Sequence, residues 1–205
     1  MRRWDQRLGV FLLLLGAAGF LLTGTAALRA QAALADQVIR IHIVAASDAP
    51  EDQLRKLLVR DRVLAALEPL LADCATEAEA EERLLEHLAA LTATAETALR
   101  ETGRPEPVTA SLATEFLPTR NYDGFSLPAG RYRTLRLVIG PGAGRNWWCV
   151  AFPPLCLAAV SDSEDLAALG LDPASASLAA DGCTIRFRCV ELWDRLQPEH
   201  QPTAT

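Results

Sequence analysis

The chain has 205 residues, which is enough for one domain of ordinary size with extensions. Half of its residues are hydrophobic and 22% are charged, so the composition predicts a packed core and excludes a largely disordered chain. The formal net charge is −6, although residues 1–35 contain four arginines against one aspartate. The remainder therefore carries about −9, which argues against nucleic acid or an anionic membrane surface as its partner.

The first 35 residues have the order of a secretory signal. Three arginines among the first seven residues precede an apolar, uncharged run over residues 8–28, and small residues at 33 and 35 predict a cleavage site. The apolar run is also long enough to span a bilayer if it is not cleaved. We therefore predict that residues 1–35 are a signal peptide or a membrane anchor, with 8–28 as the tether, and that the body is exported.

Residues 38–44 alternate between apolar and polar side chains. Isoleucines at 39, 41 and 43 share one face of this segment, and Arg40 and His42 share the other. The alternation predicts a half-buried strand with His42 on its open face.

A long helix is predicted from Pro50 to about Leu71, with Asp48 as its cap. Leucines at positions 54, 57, 64, 67 and 71 lie within one arc of this helix. Arg60 and Asp61 fall in or beside the same arc, so we expect a semi-buried ion pair. Structural anchoring is the favoured role of this pair, and a partner contact is the alternative.

A second helix begins at the capping box formed by Thr76 and Glu79 and ends near Gly103. Leucine or alanine at 84, 88, 91, 95 and 99 forms its apolar stripe. Period-two patterns then predict strands over residues 108–116, 131–139 and 147–152. The last two strands are expected to pair as a hairpin across the glycine-rich turn at 140–144.

Residues 161–181 read as an acidic loop with a short helix, residues 184–189 as a further strand and 190–196 as a closing helix. The expected fold class is α+β, with a mainly antiparallel sheet and two long helices packed on one face. The predicted domain spans residues 36–196, and residues 197–205 form a disordered tail.

The segment from Asn146 to Cys156 concentrates two tryptophans, two cysteines and a Pro-Pro step. A turn at the prolines can bring the α-carbons of Cys149 and Cys156 within disulfide range, which an exported chain permits. Adjacent strand residues face opposite sides, so one of Trp147 and Trp148 is expected in the core and the other at the surface. An exposed tryptophan could anchor a protein partner or form a platform for sugar, and both alternatives stay open.

Catalytic chemistry finds little support in the sequence. A Cys-His hydrolase needs a base beside its thiol, and His42 is the one credible base, with no spacing that ties it to Cys149. The sequence contains no C-x-x-C zinc motif and no nucleotide-binding glycine motif. We predict no catalytic residues, no metal, no cofactor and no enzymatic activity. A redox-active thiol protein is a weaker alternative.

Several blocks resemble the stage II sporulation protein R family. They are Val38–Asp48, Leu54–Lys56, Val59–Asp61, Leu117–Tyr122, Leu127–Tyr132 and Asn146–Cys156, which occur in that order between residues 38 and 157. The resemblance implies a signalling protein made in the forespore and exported into the space between the two membranes. There it would trigger a membrane-embedded aspartic protease of the mother cell, which cleaves pro-sigma-E.

Under this resemblance the protein is the ligand of the protease. The expected anchor on the protease is Trp147 or Trp148, whichever of the two is exposed. Four further side chains are expected to support this contact: Arg120, Tyr122, Arg60 and Asp61. The alternative from another class is an exported cell-wall-binding or wall-acting protein that uses the Trp147-Trp148 region.

Overall fold

The computed structural model of the protein describes residues 2–122, 124–155 and 163–180. Its helices are α1 (Arg2–Ala35), α2 (Pro50–Leu71), α3 (Glu77–Glu101), α4 (Ser163–Ala168) and α5 (Pro173–Ala180). Its strands are β1 (Ile39–Val44), β2 (Val108–Leu117), β3 (Arg120–Asn121), β4 (Ser126–Leu127), β5 (Gly130–Ile139) and β6 (Asn146–Phe152).

Four strands form the central sheet in the order β2-β5-β1-β6. Two of its three strand pairs, β2 with β5 and β1 with β6, are antiparallel, and β1 with β5 is parallel. Strands β3 and β4 make a separate two-stranded ladder. The predicted α+β class with a mainly antiparallel sheet is confirmed.

The predicted hairpin between β5 and β6 is wrong, because β1 lies between these two strands. The connection must cross two strand spacings, roughly 10 Å, instead of one. It does so over the end of β1, where the backbone N–H groups of Ala143 and Gly144 donate to the carbonyls of Ala46 and Ala45 at 3.1 and 3.0 Å. Gly140 and Gly142 adopt positive φ angles of 54° and 63° in this loop, which glycine does at little cost.

Strand β1 is buried at all six positions. Arg40 has no exposed surface and His42 is 4% exposed, so the predicted open face of this strand does not exist. The reason is the strand order, since a central strand is covered by neighbouring strands on both sides and by a layer on each face.

Helices α2 and α3 pack on the first face of the sheet, as predicted. Their apolar side chains join those of the isoleucines of β1 and the leucines of β5 in one core. The cap of α3 is confirmed, because the Thr76 side chain accepts a hydrogen bond from the Glu79 N–H at 3.3 Å.

The buried face of α2 is rotated from the predicted leucine arc. Leu54 is 68% exposed, whereas Asp52, Arg55 and Lys56 are buried. The N-cap is Ala49 rather than Asp48, and the Asp48 carboxylate instead accepts from the backbone N–H of Arg145 at 2.8 Å.

An ionic network explains how α2 can bury charge at its first turn. The Arg55 guanidinium contacts the carboxylates of Asp52 and Glu106 at 3.2 and 2.9 Å, and Arg104 contacts Asp52 at 3.0 Å. A hydrogen bond from Ser47 and the charges of Arg104 and Arg55 lower the pKa of Asp52, against the opposing effect of burial. This network fastens α2 to the segment between α3 and β2.

The second face of the sheet is covered by a smaller apolar layer. The last turn of α1 and the short helices α4 and α5 contribute to it together with residues from the strands and the β3–β4 ladder: Leu34, Ala35, Val38, Leu117, Phe125, Leu127, Tyr132, Val150, Leu155, Leu166, Leu171, Ala176 and Ala179. The acidic segment predicted as a loop with one short helix thus forms two helices.

The part of helix α1 that precedes its last turn lies outside this layer. Its apolar side chains are exposed, for example Leu13 at 75% and Leu22 at 70%. By length and composition, the segment Val10–Ala35 could cross a membrane. The predicted strand 184–189, the closing helix 190–196, the tail 197–205 and the cysteines Cys156, Cys183 and Cys189 lie outside the described residues.

Candidate functional site

A group of polar and aromatic side chains lies on the second face of the sheet, beside the apolar layer. We call it the polar patch and define it by seven residues: Arg40, His42, Glu115, Arg120, Tyr122, Arg136 and Trp148. Its centre is set by the register of three strands, in which His42 of β1 lies between Arg136 of β5 and Trp148 of β6. Alternation along each strand places these side chains on the face opposite the helices α2 and α3.

Arg40 is the largest fully buried side chain of the described residues. Its guanidinium carbon lies 5.1 Å from the ring centre of Tyr132 and 5.8 Å from that of Trp148. Its Nη2 group donates a hydrogen bond to the Tyr122 hydroxyl at 3.0 Å. Aromatic rings and one phenol thus surround this buried guanidinium, and none of the ion pairs within 4 Å among the described residues involves it.

His42 stacks on the indole of Trp148, with ring centroids 3.6 Å apart and an interplanar angle of 13°. Its Nε2 atom lies 2.8 Å from the side-chain oxygen of Asn146, a hydrogen-bond distance. Its Nδ1 atom is 3.8 Å from the Glu115 carboxylate, which is too long for a hydrogen bond. These contacts fix the imidazole in one orientation.

Glu115 is the carboxylate of the polar patch. Its oxygens lie 3.8 Å from His42 and 3.6 Å from Arg136. The neighbouring His42 and Arg136 lower the pKa of Glu115 despite its partial burial. Glu115 therefore stays ionised and faces the cations at one side of the patch.

Arg120 and Tyr122 reach the patch from the β3–β4 ladder. Arg120 pairs with Leu127 in that ladder, and its guanidinium carbon lies 5.6 Å from the ring centre of Trp148. Tyr122 stacks on Phe125 at a centroid distance of 4.7 Å. The ladder thus forms the outer wall of the patch, over Arg40 and Trp148.

Several buried nitrogen atoms of the patch have no hydrogen-bond partner. Of the seven such side-chain atoms among the described residues, six belong to it, and they are Arg40 Nε and Nη1, His42 Nδ1, Arg120 Nε, Arg136 Nε and Trp148 Nε1. Buried polar groups are normally satisfied, and groups that are not indicate a missing partner or a functional role. Most of these atoms are N–H donors, so the partner that they lack is a hydrogen-bond acceptor.

The structure divides the six predicted contact residues into two groups. Trp148, Arg120 and Tyr122 come together in the polar patch, as described above. The remaining three, Trp147, Arg60 and Asp61, lie on the opposite face of the sheet, where the Arg60 guanidinium carbon is 5.5 Å from the ring centre of Trp147. Both tryptophans are half-buried, so neither is the fully exposed member of the pair.

The predicted ion pair between Arg60 and Asp61 forms, with a shortest distance of 2.7 Å. The Arg60 side chain is 28% exposed and that of Asp61 is 60% exposed, so the carboxylate is solvated rather than semi-buried. Exposed pairs of this kind contribute little to stability.

His42 and Cys149 cannot act together, because they lie on opposite faces of the sheet. Cys149 is opposite Ile41 in the register, and it belongs to the core beneath α2 and α3. Its sulfur is in a disulfide, which leaves no thiol to activate. The partner cysteine lies outside the described residues, so pairing with Cys156 stays a prediction, and Cys74 is free.

Sequence reasoning did not assign Arg40, Glu115 and Arg136 to the site. The sequence pattern that could have indicated these residues is a single charged side chain between two apolar neighbours, such as Arg136 between Leu135 and Leu137. In an edge strand that pattern means a solvated face. In the central strands β1 and β5 the same pattern instead gives a cluster of buried and half-buried polar side chains.

Comparison with known proteins shows that the chain is similar to a characterised family. The family model described as "Stage II sporulation protein R (spore_II_R)" matches residues 35–162. The protein named Stage II sporulation protein R from Bacillus subtilis (strain 168) is 33% identical over 129 residues, which are 63% of this chain and 58% of that protein. The chain thus spans less than two thirds of the length of this relative. No solved structure matches the chain.

Proposed function

Because the chain belongs to the stage II sporulation protein R family, we propose that it is an exported signalling protein of endospore formation. In this proposal it is delivered across the forespore membrane and activates a membrane-embedded aspartic protease of the mother cell. The protease then cleaves pro-sigma-E to its active form. The protein acts by binding, and the chemistry of peptide cleavage belongs to its partner.

The observation that carries the binding role is the polar patch. It brings three arginines and a tryptophan to one face of the sheet, with nitrogen atoms that lack acceptors. Arginine and tryptophan are the residues most enriched among energetically dominant contacts between proteins. A ligand that binds one state of its partner more tightly shifts the population toward that state, which is all that an activator requires.

The position of α1 supports export. Its apolar segment projects from the body, and the family match begins at residue 35, where this helix ends. A signal peptide or an anchor at this place would deliver residues 36 onward to the far side of the membrane. With the helix retained, the protein would be held at that membrane surface.

The wall-binding alternative is supported less well. A sugar platform needs an open aromatic face, but one face of Trp148 is covered by His42, and Arg60 lies against Trp147. A protein partner can bind at the edges of such rings, where the Trp148 N–H lacks an acceptor.

The test of the proposal is reconstitution. The full chain, the candidate protease and pro-sigma-E are produced together in a host that does not sporulate, and cleavage of pro-sigma-E is followed on an immunoblot. We expect cleavage with all three proteins and none without this chain or with a protease that lacks its catalytic aspartate. Absence of cleavage with a protease from the same organism would contradict the proposal.

A further inference from the structure

We propose that the polar patch is a binding site for a single carboxylate, supplied by an aspartate or glutamate side chain of the partner protein. This inference rests on the proposed function and adds the chemistry of the contact. The residues that would bind the carboxylate are Arg40, Arg120, Trp148 and Tyr122.

The charge of the patch is not balanced by its own residues. The patch contains three arginines, at positions 40, 120 and 136, and one carboxylate, that of Glu115. Over the residues that the structure describes, the ion pairs within 4 Å include neither Arg40 nor Arg120. A buried cation without a paired anion is costly, which makes an anion the expected ligand.

The donors also have the number and kind that a carboxylate needs. Nε of Arg40, Nε of Arg120 and Nε1 of Trp148 are buried and have no acceptor. The Tyr122 hydroxyl accepts from Arg40 and keeps its own hydrogen for donation. A carboxylate has about four lone-pair positions, so one such group could satisfy all of these donors.

The acidic body of the protein selects against polyanions. Residues 36 onward carry about −9, so nucleic acid or an anionic membrane would be repelled by the field of the whole domain. A lone carboxylate on an otherwise uncharged peptide segment experiences the local arginines more than the distant acids, because salt screens beyond about 8 Å. We therefore assign the site to an acidic side chain of a polypeptide.

Because the donors are buried, entry of a carboxylate requires the wall of the site to open, and the β3–β4 ladder is the place where the proposal puts this opening. This ladder consists of two residue pairs, and the half-buried Arg120 side chain extends from it over Trp148. Rotation of Arg120 would uncover the indole N–H and let the carboxylate enter above Arg40. Arg40 itself is fixed between two aromatic rings and would supply a permanent positive charge at the base of the site.

Binding is tested with the full chain and synthetic peptides that reproduce the exposed loops of the candidate protease. Each peptide is made in its natural form and with each acidic residue changed to the amide. We expect one acidic peptide to bind at least tenfold more tightly than its amide form and to shift the indole N–H resonance of Trp148. Arg120→Gln and Arg40→Met should each remove this preference, and the control Arg62→Gln, an exposed arginine on α2, should keep it.

Arg40→Met also separates a binding role from a structural role. If Arg40 is held as an unpaired charge for binding, methionine should keep or raise the thermal midpoint while binding falls. If binding of the acidic peptide is unchanged in both Arg40→Met and Arg120→Gln, the site is overturned. Because α1 alone can insert into vesicles, the lipid control compares phosphatidylglycerol with phosphatidylcholine vesicles. A preference for phosphatidylglycerol that both variants lose would also overturn the site, as would equal binding of all amide forms.

The reconstituted cleavage reaction distinguishes failure of the site from failure of the proposed function. We expect Arg120→Glu to abolish cleavage and a glutamate-to-lysine change in the bound loop to restore it. Cleavage that persists with Arg120→Glu would reject the carboxylate site and leave the proposed function standing. Peptide binding by a chain that supports no cleavage would reject the function and leave the site standing.

Discussion

His42 of β1 and Trp148 of β6 stack at 3.6 Å across the antiparallel pair, and this contact joins the centre of the sheet to its edge. The strand register makes the contact unavoidable, since the two residues are direct neighbours on the same face. The stack also holds the Trp148 indole beside Arg40 and Arg120. The centre of the polar patch is therefore carried by the central sheet, whereas Arg120 and Tyr122 reach it from the β3–β4 ladder and the residue after β3.

The two tryptophans should differ in their effect on activation. Trp148→Ala should remove most of the cleavage of pro-sigma-E, because this indole belongs to the patch, whereas Trp147→Ala should have the smaller effect. Each change should cost about 2 kcal/mol of unfolding free energy, since each ring is half-buried. Cleavage is measured in the reconstituted system and stability by urea denaturation. Full cleavage with both folded variants would contradict a role for either ring in binding.

Asp52 should make stability depend on pH in the acid range. Its folded-state pKa lies below the ordinary value of 3.8, so ionised Asp52 contributes stability above that value and loses it as pH falls through the folded-state pKa. Asp52→Asn should cost roughly 2 kcal/mol at pH 7, because Arg55 and Arg104 each lose one of their two carboxylate partners and keep only Glu106. The difference between the two proteins should shrink below about pH 4.

Urea denaturation at pH 7, 5 and 3 measures this dependence. Asp61→Asn serves as the control, because the carboxylate of Asp61 is exposed and its removal should change stability by less than about 0.5 kcal/mol. An Asp52→Asn variant that is equally stable at pH 7 would show that the network does not hold α2 in place.

The last turn of α1 should be part of the folded body. Leu34 has no exposed surface and Ala35 is 7% exposed, and the Asp36 N–H continues the helix by donating to the Ala32 carbonyl at 3.0 Å. Because a peptidase needs an extended and accessible segment, we expect the chain to keep α1 as a membrane anchor. N-terminal sequencing of the chain recovered from both the membrane and the soluble fractions tests this, and a new terminus at Asp36 in either fraction would contradict it.

Stability gives a second measurement of the same contact. Leu34→Ala should lower the unfolding free energy by about 3 kcal/mol, since it leaves a cavity in the layer shared with α5 and β5. Leu13→Ala, on the exposed part of α1, is the matched control and should leave the stability of the body unchanged.

The disulfide of Cys149 can be assigned by peptide mapping without reductant. We expect Cys149 linked to Cys156, since a turn at the two prolines brings them within reach. Alkylation before reduction should label Cys74, which is a free thiol. A peptide that links Cys149 to Cys183 or Cys189 would replace the predicted pairing.

The sequence alone determined the features that depend on neighbours along the chain. The Thr76 cap of α3, the extent of α2 from Pro50 and the extended conformation of β1 are local, and each matches the structure within a few residues. The apolar run near the N-terminus can likewise be recognised from consecutive residues alone. Local patterns succeed here because backbone hydrogen bonds and side-chain periodicity act over a few residues.

Only the tertiary structure decided which strands are neighbours. The turn at residues 140–144 suits a hairpin, yet β1 takes the place between β5 and β6 because its isoleucines complete the core beneath α2 and α3. That long-range pairing buries Arg40 and His42, which the alternating pattern had assigned to an open face. The polar patch depends on contacts between residues far apart in the sequence, such as Arg40 with Tyr122, which are 82 positions apart, and no local pattern encodes them.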